Sequence, residues 1–351
     1  MTAVPASPQG FAQSAPAASG IPHTRGTPGT PAAALDPQVA ALLDLIRRVK
    51  RPGIHELDPI DAKTAYEKSA PIMDIAPTPV HSVENLTVAA RDGYEIPLRL
   101  YAPRAASWVE PLPLLLYFHG GGFTVGSVNS HDPLCRLLCA RGDCMVLSVD
   151  YRLGPVWQFP YAANDAFDVM QWIFHEAAHL GADPARIALG GDSAGGTLAA
   201  ACAVHARDAG LAPVLQMLIY PGTCARQDTP SHRALAEGYL LTAPMIQWFF
   251  SQYLDSEASR DDWRFAPLDG GGHGADVRGC CPAWIAVAGY DPLHDEGVAY
   301  AAKLRAAGVP AALADYPGMI HDFFKLGRFV PAVADAHADA VAALRAAFGS
   351  G

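Results

Sequence analysis

Apolar residues recur along this chain with two different periods. After Asp36-Pro37, a helix N-cap followed by proline at the first helical position, Val39, Leu42, Leu43 and Ile46 fall on one face at helical spacing. Asp58-Pro59 repeats that start signal and predicts a second, short helix reaching Tyr66. From Val83 the period shortens. Residues 83–90 and 95–101 flank Arg91-Asp92-Gly93 and predict a β-hairpin, because Asp-Gly supplies the positive φ of a tight turn. Apolar strands then alternate with helices. The strands are expected at 112–118, 145–149, 187–189, 215–220, 284–287 and 311–316, and helices at 161–180, 194–209, 295–307 and 331–347. A hairpin followed by βα repeats predicts an α/β fold with a mostly parallel sheet covered by helices on both faces.

Two stretches break the rhythm. Residues 1–35 are dominated by Ala, Pro, Gly, Ser and Thr without periodicity, and predict a disordered tail that cannot bury enough apolar surface to offset its ordering entropy. Between Pro221 and Trp284 lies a segment far longer than the few-residue connections usual in such folds. Within it, Thr242-Ala243-Pro244 starts a helix with Met245, Trp248 and Phe249 on one face, the natural candidate for a lid packed against the helices at 37–66. The expected division is therefore a tail at 1–35, the N-terminal part of a cap at 36–80, a first core segment at 81–223, a cap insertion at 224–265 and a second core segment at 266–351.

Bulk properties narrow the function classes. Half of the 351 residues are hydrophobic, enough for one large α/β domain with its attachment. The net charge of −10 argues against nucleic acid or an anionic membrane surface as partner. The odd set of seven cysteines lacks CxxC spacing and reads as free core thiols, with Cys280-Cys281 in a plain loop-to-strand position. No apolar run approaches the ~18 residues of a membrane span and no secretory signal pattern is visible, so a cytoplasmic location is expected and the sequon Asn85-Leu86-Thr87 is expected to be idle.

The chemistry concentrates in four places. Gly191-Asp192-Ser193-Ala194-Gly195 falls between a strand and an Ala-rich helix, the context in which a GxSxG serine is held clear of the backbone as a nucleophile. The helix N-terminus behind Ser193 favours developing negative charge. His119-Gly120-Gly121-Gly122 ends the strand at 112–118 and fits an oxyanion-hole loop. Amides of Gly121, Gly122 and Ala194 are the expected donors, each worth on the order of 3 kcal/mol in the transition state. His119 and Gly120 are expected to order that loop. The base is expected after the last strand, at His321 in Pro317-Gly318-Met319-Ile320-His321, with His131 a weaker alternative. Asp291, opening Asp291-Pro292-Leu293, is the expected acid that orients the imidazole, whereas Asp295 and Glu296 are expected to serve the dipole of the next helix.

With these segments assembled, the chain resembles the hormone-sensitive-lipase-like carboxylesterases of the α/β-hydrolase fold, in the branch marked by Asp192 in GDSAG. Asp150-Tyr151-Arg152-Leu153-Gly154-Pro155 is similar to a further motif of that family. The resemblance implies an eight-stranded sheet, a helical cap, no cofactor, and hydrolysis of short- to medium-chain acyl esters. Two residues depart from the family pattern. Val156 stands where the family has a Glu that ties down active-site loops, and Asp322 replaces Gly after the base, adding a charge expected to raise the His321 pKa.

Alternatives stay open at this level. The same triad serves an amidase or peptidase, and a non-catalytic ligand-binding protein could use the scaffold. Metal-dependent hydrolysis is disfavoured because no HExxH or comparable ligand cluster occurs. Tyr239, Trp248, Phe249 and Phe250 are either the lining of an apolar acyl pocket or the cap's own core. Oligomeric state, a homodimer included, is left open.

Overall fold

The apolar runs form one eight-stranded sheet in the computed structural model of the protein, which describes residue 31 and residues 33–349 except 107 and 108. The strands are β1 (Ser82–Ala89), β2 (Glu95–Ala102), β3 (Leu112–Phe118), β4 (Met145–Val149), β5 (Ala182–Asp192), β6 (Leu215–Ile219), β7 (Ala283–Tyr290) and β8 (Ala311–Ile320). Their order is β1-β2-β4-β3-β5-β6-β7-β8. The hairpin β1–β2 and the β2–β4 pair are antiparallel, and every pairing from β4 to β8 is parallel. The parallel sheet puts strand ends β3, β5, β7 and β8, which precede the four motif segments, along one edge of the sheet.

The helices are α1 (Pro37–Val49), α2 (Pro59–Met73), α3 (Asp132–Gly142), α4 (Tyr161–Glu176), α5 (Ala194–Asp208), α6 (Pro230–Ala234), α7 (Ala243–Tyr253), α8 (Glu257–Arg260), α9 (His294–Ala306) and α10 (Val333–Ala347). β3 is buried along its whole length, so its side chains alternate between two cores. Leu114, Leu116 and Phe118 pack with α4, α5 and α9, for example on Met170, Leu198 and Leu304. Leu115 and Tyr117 point to the other face, into a cluster that includes Leu138 of α3 and Leu344 of α10 and extends to Val39 of α1. Each fully buried leucine here contributes about 2 kcal/mol relative to exposure. A third, smaller cluster joins Ala62 of α2 to Ile246 and Phe249 of α7, with Val125 and Leu293 from the loops after β3 and β7. α7 of the long insertion thus packs against α2, whereas the buried face of α1 belongs to the second core.

Several expectations need correction. Most of the predicted tail lies outside the described residues, but its last part is seated. Leu35 packs on the second core, and the Asp36 amide donates to the Gly318 carbonyl at 3.0 Å. α2 runs past Tyr66 to Met73 through Pro71. Glu67-Lys68-Ser69 interrupt the apolar spacing after Tyr66, and Pro71 reads as a helix breaker, so the sequence signal ends early. α3 was not foreseen, although Pro133 at its start and the pair Leu134 and Leu138 are a helical signal. β5 extends through Gly190 and Gly191, which read as a turn in isolation but lie in register with Tyr117 and Phe118 of β3. The cysteines are free thiols, with Cys281 alone not fully buried. No helix among the described residues is long and apolar enough to cross a membrane.

Candidate active site

Ser193 stands between the end of β5 and the start of α5 with φ 52° and ψ −119°, a conformation costing about 1–3 kcal/mol in isolation. Its surroundings impose it. The Ser193 amide donates to the Ile219 carbonyl at 2.8 Å, and a Cβ on Gly195 would collide with the Phe118 carbonyl. Only glycine lets α5 approach β3 so closely, and this approach lifts the serine hydroxyl off the turn.

The structure brings Ser193, His321 and Asp291 together from three strand ends. His321 directly follows β8 and Asp291 directly follows β7. His321 Nε2 lies 2.9 Å from Ser193 Oγ, and His321 Nδ1 lies 2.6 Å from Asp291 Oδ2. The second Asp291 oxygen accepts from the Leu293 amide at 2.9 Å, which fixes the carboxylate plane. Asp291 is wholly buried and His321 nearly so, while Ser193 is partly accessible. Burial pushes the His321 pKa down, but the charge and hydrogen bond of Asp291, helped by Asp322 and Asp192, outweigh it and raise the imidazole above its ordinary value. Asp322 therefore acts in the direction its charge led us to expect.

On the other side of the serine lies the glycine loop. Gly121 and Gly122 have φ of 118° and 58°. Among the described residues no acceptor binds the amides of Gly121, Gly122 or Ala194, whereas the Gly120 amide is used internally, donating to Asp192 Oδ1 at 3.0 Å. Three such N–H groups, one at the helix N-terminus directly after Ser193 and two in the glycine loop, are donors of the kind that can receive an oxyanion. His119 is buried, its Nδ1 lies 2.8 Å from the Gly120 carbonyl, and its ring stacks on Tyr151 at 4.3 Å. Burial and the neighbouring His131 push its pKa down to about 3, which keeps it neutral. His119 is built into the loop and has no path to the serine as a base.

The remaining rivals are engaged elsewhere. His131 Nε2 lies 3.2 Å from Asp192 Oδ2 and its Nδ1 lies 2.9 Å from Ser130 Oγ. Asp192 also accepts from the Tyr117 hydroxyl at 2.6 Å. Burial alone would raise the Asp192 pKa, yet His131, Lys325 and Tyr117 hold the carboxyl well below its usual range. Asp295 and Glu296 do more than serve the helix dipole. Asp295 accepts from the Ser231 amide of α6 at 2.9 Å. The Glu296 oxygens accept from the amides of Thr223 and Cys224, at 3.2 and 2.9 Å. Burial pushes the Glu296 carboxyl up to about 8 despite these bonds. Both acids tie the root of the long insertion to the loop that carries Asp291.

The motif at 150–155 secures the glycine loop without the missing Glu. The Tyr151 hydroxyl donates to the His119 carbonyl at 2.6 Å, the Gly154 amide to the Phe123 carbonyl at 2.8 Å, and the Val128 amide to Asp150 Oδ1 at 3.2 Å. Arg152 is buried, clasps Asp165 through Nε and Nη2 at 3.0 and 2.5 Å, and reaches Asp92 at 2.6 Å. Val156 is exposed and takes no part. Of the four cap aromatics, Phe249 lies against Gly122, so near that a Cβ there would strike its ring. Tyr239 instead faces Tyr290 at 5.1 Å and Phe250 faces Phe265 at 4.9 Å, while Trp248 neighbours Phe249 at 5.2 Å.

The pattern common to the alpha/beta hydrolase fold family matches residues 115–325, a stretch that holds every residue of this site. The chain belongs to the α/β-hydrolase family. Its resemblance to the hormone-sensitive-lipase-like carboxylesterases of that family is borne out by its relatives. An ethyl acetate hydrolase of Pseudomonas putida is 39% identical, with 84% of this chain and 94% of that protein aligned. The carboxylic ester hydrolase LipN of Mycobacterium tuberculosis is 40% identical, covering 89% of this chain and 83% of its own length. An α/β-hydrolase enzyme from the metagenome of Lake Arreo has a solved structure that superposes with a TM-score of 0.84 at 39% identity, covering 90% of this chain and 99% of that one.

Proposed function

We propose that this α/β-hydrolase is a serine carboxylesterase that cleaves short- to medium-chain acyl esters through an acyl-enzyme on Ser193. The observation that carries the reading is the relay Ser193 Oγ–His321–Asp291, at 2.9 and 2.6 Å, next to a glycine loop and a helix start whose amides bind no acceptor among the described residues. His321 takes the hydroxyl proton as Ser193 attacks the ester carbonyl, and Asp291 stabilises the imidazolium without accepting that proton. The amides of Gly121, Gly122 and Ala194 receive the oxyanion. Collapse of the tetrahedral intermediate expels the alcohol, which takes the proton from His321. A water activated by His321 then attacks the acyl-enzyme and releases the acid. The relatives' names, an ethyl acetate hydrolase and a carboxylic ester hydrolase, support an ester as the small-molecule substrate. In this reading α1, α2 and the insertion around α6–α8 form the cap, and Phe249, seated on the oxyanion loop, bounds the space left for substrate.

The test is Ser193→Ala. Loss of p-nitrophenyl butyrate turnover and of fluorophosphonate labelling, with an unchanged circular dichroism spectrum, is the expected outcome; retained turnover would overturn the assignment. A p-nitrophenyl ester series of increasing acyl length is expected to peak at the short to medium members. Turnover needs a neutral imidazole. Because the His321 pKa is raised, kcat/KM is expected to fall on acidification from a pH above the ordinary histidine value of about 6.5.

A further inference from the structure

Lys325 is one of the few lysines in the chain and is almost wholly buried, within the apolar run Phe323-Phe324-Lys325-Leu326. Its ammonium hydrogen-bonds the Tyr66 hydroxyl, lies 4.5 Å from the centre of the Tyr66 ring, and sits 3.2 Å from Asp322 Oδ1. Tyr66 Oη is in turn 3.5 Å from Asp322 Oδ2. Tyr66 belongs to α2, in the part of the chain read as cap, whereas Asp322 immediately follows His321 and has φ 67°. Three polar groups from two distant segments thus close a ring behind the histidine. Burial disfavours the ammonium, but Asp322, Tyr66 and Asp192 outweigh it and hold Lys325 charged above its ordinary range.

A charge is expensive to bury, and an apolar residue would fill this space at lower cost. The loop at 321–325 is already anchored by Phe323 and Phe324 in the second core, so packing alone does not call for the lysine. What the ring adds is direction. It fixes the backbone step from His321 to Asp322 in a left-handed conformation and links it to α2. It also sets how much of the Asp322 charge reaches the imidazole.

We propose that Tyr66 and Lys325 are positioning residues for the ester hydrolysis assigned above, locking α2 to the loop of His321 so that the imidazole keeps both its aim at Ser193 and its basicity. The proposal rests on His321 being the base. The groups facing that imidazole are Asp291 from the end of β7, Asp192 and Ser193 from the turn after β5, Tyr220 from the end of β6 with its ring 4.8 Å away, and Asp322 beside it, with Tyr66 and Lys325 acting through Asp322.

The experiment measures kcat, KM and the pH profile of kcat/KM on p-nitrophenyl butyrate for Tyr66→Phe, Lys325→Met, Asp322→Asn and the Tyr66→Phe/Asp322→Asn double variant. Tyr66→Phe keeps the ring and is expected to lower kcat on the order of tenfold with KM within about twofold. Lys325→Met leaves the Asp322 charge unopposed and is expected to move the acid limb of the profile up by roughly half a unit. Asp322→Asn is expected to move it down by a similar amount. The double variant is expected to lose less than the product of the two single losses, because both act through one ring. A Tyr66→Phe enzyme with unchanged kcat and acid limb and only a lower melting temperature would overturn the proposal, since a purely structural tie has that signature. Should Lys325→Met not fold, Tyr66→Phe and the double variant decide alone. Ser193→Ala run alongside separates the two questions: turnover surviving in it defeats the reading of the site, and turnover lost in it leaves the Tyr66 result to judge the tie.

Discussion

Two carboxylate–histidine–serine chains flank the turn at Ser193, and only one of them has the surroundings that the proposed mechanism needs. On the base side, Asp291 holds His321, whose other nitrogen meets Ser193. On the oxyanion side, Asp192 holds His131, whose other nitrogen meets Ser130. The residue types and the histidine–serine distance of 2.9 Å are the same, while the carboxylate–imidazole contact is 2.6 Å at Asp291 and 3.2 Å at Asp192, through opposite ring nitrogens. Ser130, however, is fully buried, its hydroxyl lies 3.0 Å from the Ser127 carbonyl, and it receives the Ser127 amide at 2.9 Å. It has neither a strained turn to expose it nor free amides in front of it. Ser193 has both. A triad is therefore defined less by three side chains in contact than by what surrounds the serine, where a substrate carbonyl must fit and its developing charge must find donors. The second chain does a different task, holding the Gly120 amide and so fixing the shape of the glycine loop.

This comparison can be broken by experiment. Asp291→Asn is expected to have the largest effect, a fall in kcat of about ten-thousandfold with folding preserved, since the imidazole then takes the wrong tautomer. Asp192→Asn removes the partner of a buried pair. It is expected to cost about 3 kcal/mol in urea unfolding and to lower kcat by only about 10- to 100-fold through a loosened oxyanion loop. An effect on kcat as large as that of Asp291→Asn would mean that the two chains share the catalytic role. Ser130→Ala should be mildest, with turnover within about twofold of the parent and a stability loss of about 1 kcal/mol. If fluorophosphonate labelled Ser130 in the Ser193→Ala protein, the distinction drawn here between the two serines would fail.

Legibility followed the length scale of each interaction. β3 and β4 match the expected ranges residue for residue, because unbroken apolar runs bounded by turn residues leave no other solution. Ser193, Asp291 and His321 were singled out from local motifs whose neighbours are set by the turn each makes, and the structure brings the three within hydrogen-bond reach. Tyr117, Glu296, Tyr66 and Lys325 were not. Apart from the Asp322–Lys325 pair their partners lie far away in sequence, and a single tyrosine, glutamate or lysine has no local pattern. The one local hint was a lysine inside the apolar run at 323–326. His131 was noticed, but only as a rival base, and its bond to Asp192 emerges only when β3 and β5 lie side by side.

Local pattern alone specified the strands, most of the helices between them and the four motif segments, because periodicity and turn geometry act between near neighbours. Which of two serine–histidine–aspartate chains faces a substrate, where a buried lysine finds its counter-charges and how α2 is fastened to the loop after β8 were decided only by tertiary structure. Most of these are encounters between groups from tens to more than two hundred residues apart, and their energies depend on burial and direction that exist only once the chain has closed around them.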